Sequence, residues 1–137
     1  MIFLDTNIFL RYFEQEDEEI TSRTSELFKR LTNGEITCFT NNMVIVEIIW
    51  VLEKYYGWKK DEVCENIELI LNTPNIRIKE RNIIKLAVRT YSDINIDYID
   101  AYNHAYIKAN GASEIYSYDR HYDKLNKSLG DIERLIP

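Results

Sequence analysis

Apolar positions recur along the chain in two rhythms. Short runs of branched and aromatic residues read as strands: Ile2–Leu4, Ile36–Phe39, Ile76–Ile78, Ile115–Tyr118 and Arg134–Ile136. Between them the apolar residues fall at helical spacing, over Asn7–Phe13, Glu18–Leu31, Asn42–Tyr56, Lys60–Leu71, Arg81–Tyr91 and Tyr98–Ala109. Strands alternating with helices at this spacing predict an α/β protein with a parallel sheet, helices on both faces and right-handed crossovers. Gly34, Gly57, Gly111 and Gly130 each stand where a helical pattern ends, as helix C-termini prefer. No repeat or low-complexity stretch interrupts the pattern, so residues 1–137 read as a single domain large enough for its own core.

Composition narrows the class. At 45% hydrophobic and 29% charged residues, the chain has the make-up of an ordinary globular protein. No apolar run is long enough to span a bilayer and no basic leader precedes the first strand, so a cytoplasmic protein without membrane contact is expected. Cys38 and Cys64, in apolar surroundings and without metal spacing, read as small core residues. With only His104 and His121, a zinc cluster is not expected, and any metal must be held mainly by oxygen.

The net charge of −6 argues at first against a nucleic-acid binder. Five of the acids, however, stand in one segment, Glu14, Glu16, Asp17, Glu18 and Glu19, which reads as surface. Without them the charge nearly balances. Arg81, Lys85 and Arg89 recur every fourth residue and form a basic stripe, either a solvated helix face or a track for phosphates. Arg120 is a further phosphate candidate. In the Tyr98–Ala109 helix, Ala101, Ala105 and Ala109 form one stripe and Tyr98, Tyr102 and Tyr106 another, read as packing rather than a base-stacking platform.

Four acids occupy informative places. Asp5 ends the first strand, at the edge where open α/β sheets build ligand sites, although it could equally cap the helix that follows. Glu47 is the one polar residue between Met43 and Leu52, and an ionised carboxylate buried there demands a partner or a metal. Asp100 falls in the first turn of a late helix, three residues after the capping candidate Asp97. Asp119 follows the fourth strand, as a turn residue or a ligand, with Asp123 its rival one helical turn on. Carboxylates drawn together from distant segments suggest a divalent-metal site. Two of them about 4 Å apart repel by roughly 4 kcal/mol at an effective dielectric near 20, so a cation in their midst is strongly favoured.

With these residues assembled, the chain resembles a PIN domain. The likeness rests on Phe3-Leu4-Asp5-Thr6-Asn7, on Ile99-Asp100-Ala101-Tyr102-Asn103-His104-Ala105, on Ser117-Tyr118-Asp119-Arg120-His121-Tyr122-Asp123, and on Glu47 in the helix after the second strand. By size the chain is similar to VapC-type toxins of prokaryotic toxin–antitoxin pairs. The resemblance implies a three-layer α/β/α domain with five parallel strands in the order 3-2-1-4-5, which would set Asp5 and Asp119 on adjacent strand tips. It implies a Mg²⁺- or Mn²⁺-dependent endoribonuclease whose ligands and catalytic acids are Asp5, Glu47, Asp100 and Asp119, with Thr6, Asn7 and Ser117 orienting them. It further implies an RNA substrate, a type II antitoxin protein as partner and a homodimer.

Other classes fit less well. A haloacid-dehalogenase phosphatase needs a second Asp where Asn7 stands. A receiver domain needs an acidic pair after strand one and an Asp after strand three, where Thr6 and Lys79 stand. A PIN-like module that binds RNA or protein without cutting, or a PIN nuclease of RNA processing, remains as the alternative.

Overall fold

A computed structural model describes residues 1–137, with the chain divided into two compact units, Met1–Arg81 and Asn82–Pro137. In the first unit the order is β1 (Ile2–Phe3), α1 (Thr6–Glu14), α2 (Glu18–Thr32), β2 (Cys38–Thr40), α3 (Asn42–Trp50), a π-helical turn (Val51–Tyr55), α4 (Lys60–Asn72) and β3 (Ile76–Ile78). The three strands are parallel with β2 in the centre, Ile2 opposite Cys38 and Cys38 opposite Ile76. Cys38, Thr40, Ile76 and Ile78 point into the core, joined there by Phe9, Phe28, Leu31, Ile45, Ile48 and Ile67. Both cysteines are buried and unpaired, as their context predicts.

Local chemistry starts these helices. The Asp17 carboxylate accepts the Ile20 N–H at 2.9 Å and opens α2; the Asn41 side chain accepts the Val44 N–H at 3.1 Å and opens α3. The single helix expected over Asn42–Tyr56 is broken after Trp50. There the Tyr56 N–H reaches back five residues to the Val51 carbonyl at 3.0 Å, the wider ladder of a π-turn. Hydrophobic periodicity reports which residues are apolar, not how many separate a donor from its acceptor, and so does not reveal this change.

One acid of the supposed surface segment is not on the surface. The Glu14 side chain is 4% exposed, with Arg11 at 3.5 Å. The Tyr56 hydroxyl donates to Glu14, and that hydrogen bond, with burial, raises the phenol to about 12. Glu16, Asp17, Glu18 and Glu19 are exposed as expected.

The second unit holds most of α5 (Arg81–Asp93), then α6 (Tyr98–Ala109), β4 (Glu114–Tyr116), α7 (His121–Leu129) and β5 (Glu133–Leu135), with β4 and β5 parallel. Helix α7 is not among the helices expected from the apolar spacing, although Gly130 reads as the end of a helical pattern. It buries only Tyr122 and Leu125, too few apolar positions to stand out in a polar stretch. Its end is marked by Gly130, whose φ of 68° lies in the left-handed region that glycine enters without strain. Ala101 and Ala105 are buried while Ala109 is exposed. The tyrosine stripe runs outward from the buried Tyr98, with Tyr102 and Tyr106 stacked at 5.8 Å. The five strands are thus found as a parallel 3-2-1 ladder and a parallel 4-5 ladder. No helix is long and apolar enough to cross a membrane.

Two charged contacts tie the second unit together. Arg134 grips Asp123 through two bonds of 2.8 Å, joining β5 to α7 and holding the Asp123 carboxyl below its ordinary range. His104, only 3% exposed, sits 2.7 Å from Asp131, whose other oxygen meets Lys108 at 2.9 Å. Burial opposes the charge on Asp131, but the hydrogen bonds from Lys108 and His104 outweigh it and keep its carboxyl below 3.8. A lowered carboxyl pKa contributes stability at and above its unfolded value, and this fades as pH falls through the folded one. Asp131→Ala should therefore cost about 2 kcal/mol at pH 7, the scale of a lost hydrogen bond to a charged group, in urea unfolding. The gap from wild type should close below pH 3.8; a gap that persists in strong acid contradicts the assignment.

Candidate active site

The first unit fixes Asp5 through its neighbour. The Leu4 N–H donates to the Phe39 carbonyl at 2.9 Å, and the Leu4 carbonyl accepts the buried Thr40 hydroxyl at 2.9 Å. The chain therefore leaves the sheet at a pinned point, and Asp5 follows in extended conformation as the N-cap of α1. Its carboxylate makes no capping bond, so the helix start does not consume it. Thr6 is buried, and its hydroxyl donates to Glu47 Oε2 at 3.1 Å across from α3. Asp5 and Glu47 line the same open groove, with Phe3, Asn41, Met43 and Trp50. Asn7 is exposed on the first turn of α1.

Glu47 corrects an expectation. The apolar run around it suggests a buried carboxylate, but Glu47 is exposed, and so are Met43 and Trp50 on the same face. The core face of α3 is carried by Val44, Ile45, Ile48 and Ile49 alone. An all-apolar run thus does not place every member in the core, and Glu47 marks the helix face turned to solvent.

In the second unit Asp100 and Asp119 converge. Asp100 lies in the first turn of α6, behind Asp97, which occupies the N-cap position without making a side-chain cap. Asp119 lies in the turn between β4 and α7. The Ser117 hydroxyl accepts the Asp119 N–H at 3.0 Å, and Asp119 Oδ1 accepts the His121 N–H at 2.9 Å, so two successive side chains shape that turn. The His121 ring closes on the same oxygen, Nδ1 standing 2.8 Å from Asp119 Oδ1 and 3.6 Å from Asp100 Oδ2. One ligand atom from each of Asp100, Asp119 and His121 lies within 4.8 Å of the others.

Asp100 is the stressed member. Its side chain is 14% exposed. Burial first, then the nearby Asp119 charge, raise its carboxyl above the ordinary value; His121 and a hydrogen bond from Tyr122 act in the other direction. Tyr122 is buried and its hydroxyl also accepts Asn103 Nδ2 at 3.2 Å, so Asp100, Tyr122 and Asn103 form one network between α6 and α7. A pair of acids facing each other, one of them shielded from water, fits a divalent cation.

Residues 2–128 match the family model of the PIN domain. The chain belongs to the PIN domain family. It is also similar to the VapC ribonuclease of Aquifex aeolicus (strain VF5), 27% identical over 125 residues that cover 91% of this chain and 92% of that protein. Its α/β fold with parallel strands is the PIN fold.

The remaining expected residues are placed as follows. Asp123, the rival of Asp119, is held by Arg134. Arg81 donates to the main-chain carbonyls of Leu71 and Ile76, so its guanidinium also serves the fold. Lys85, Arg89 and Arg120 are exposed. His121 and Tyr122 are additions that sequence reasoning passed over. A spacing of two residues from Asp119 was the available signal for His121, but it acts only because α7 begins there, and that helix was not foreseen.

Because a raised carboxyl pKa makes the ionised form costly in the fold, Asp100→Asn should raise the metal-free melting temperature by a few degrees at pH 7. The advantage should shrink as pH falls through the raised folded value and be gone below the ordinary 3.8, where the carboxyl is protonated in the folded and unfolded chain alike. A variant less stable at pH 7 would show that Asp100 is paired, not repelled.

Proposed function

We propose that this PIN-family chain is a metal-dependent endoribonuclease, the toxin of a type II toxin–antitoxin pair, and that Asp5, Glu47, Asp100 and Asp119 are its catalytic acids. The observation that carries the reading is the approach of Asp100, Asp119 and His121, an arrangement that costs free energy without a cation. Family membership and the VapC ribonuclease relative support the same direction. The two parallel ladders, 3-2-1 and 4-5, are in keeping with the α/β character of that family.

The four carboxylates favour Mg²⁺ or Mn²⁺ as hard cations. Such an ion, when bound, lowers the pKa of water and neutralises charge developing on a phosphodiester. Asp5, Glu47, Asp100 and Asp119 would serve as its ligands. The Thr6 hydroxyl keeps one Glu47 oxygen fixed, leaving the other to act. Ser117 sets the turn that aims Asp119, and Tyr122 restrains Asp100. Asn7 orients the substrate or the attacking water, and Lys85, Arg89 and Arg120 meet phosphates of the RNA. The protein works in the cytoplasm as a homodimer restrained by an antitoxin protein.

Purified protein given RNA and Mn²⁺ or Mg²⁺ should cleave it, and EDTA should stop the reaction. Asp5→Asn should cut the rate by at least roughly 100-fold, the scale on which damage to a metal site is felt, without loss of melting temperature in the metal-free state. Undiminished cleavage by Asp5→Asn overturns the site assignment; RNA binding without cleavage by the wild type replaces the enzyme with a binding module.

A further inference from the structure

We propose that His121 is a direct nitrogen ligand of the cation held by Asp100 and Asp119, and that it makes the site prefer Mn²⁺ to Mg²⁺. The inference rests on the metal reading above and deepens it.

Its geometry is specific. Nδ1 of His121 faces both acids, at 2.8 Å from Asp119 Oδ1 and 3.6 Å from Asp100 Oδ2. The ring is 55% exposed, so core packing does not dictate where it points. Its backbone is held as well, because the His121 N–H is bonded to the carboxylate oxygen that the ring approaches. The residue opens α7, which is anchored by buried Tyr122 and Leu125, so the imidazole starts from a rigid element. The buried His104 is engaged with Asp131.

An oxygen-only site does not discriminate strongly between Mg²⁺ and Mn²⁺. Mg²⁺ demands hard oxygen donors in a tight octahedron, whereas later divalent ions accept imidazole. Replacing one oxygen by Nδ1 therefore shifts the balance toward Mn²⁺. A histidine that only held Asp119 by a hydrogen bond would orient the carboxylate for either ion and leave the balance alone.

Electron spin-echo envelope modulation of the full chain loaded with Mn²⁺ separates the two roles. Wild type should show modulation from a directly bound ¹⁴N that is lost in His121→Ala. The same substitution should weaken Mn²⁺ binding by about 10-fold in titration calorimetry and leave Mg²⁺ binding nearly unchanged. Bound Mn²⁺ without nitrogen modulation, or equal losses for both ions, overturns the ligand role while leaving the nuclease reading standing. Failure of the wild type to bind Mn²⁺ at all overturns both.

Discussion

The holding of Asp100 largely out of water and beside Asp119 is the constraint on which the second unit's candidate site depends. Neither acid drifts away, because each is held by something rigid. Asp100 rides on the first turn of α6 and is restrained by Tyr122, which Asn103 holds in turn. Asp119 is fixed by a turn that Ser117 and the start of α7 define. A fold that keeps like charges together at a cost is prepared for a cation, since the cation removes the repulsion without any rearrangement of the protein.

Other charges in the chain are treated differently, and the contrast separates structure from function. Asp123 has Arg134, and Asp131 has Lys108 and His104. Those carboxylates are settled by partners that hold elements together. Asp100 and Asp119 meet a half-exposed imidazole, each other and, at Asp100, the neutral Tyr122 hydroxyl. In the first unit Glu47 receives a single neutral hydroxyl, and Asp5 does not spend its carboxylate on capping α1. The candidate site residues stand where compensation is weakest.

Much of this was legible in the residues. Strand β3 and helix α6 fall where the periodicity placed them, because each is a clean run bounded by turn residues or a cap. The acid at the end of β1 was readable from strand formers stopping abruptly. Helix α7 was not, since a surface helix anchored by Tyr122 and Leu125 has too little apolar signal. The exposure of Glu47 was hidden because Met43 and Trp50 are apolar yet outward-facing, and no local pattern separates an exposed apolar face from a buried one. The engagement of Arg81 with the carbonyls of Leu71 and Ile76 arises from tertiary contacts, which helical spacing does not encode.

The central claim is that Asp100 and Asp119 are held facing each other for a divalent cation. Crystals grown with Mn²⁺, measured at its absorption edge, test it directly. The account predicts a strong anomalous peak coordinated by Asp100 and Asp119. The absence of a peak beside these two carboxylates contradicts it.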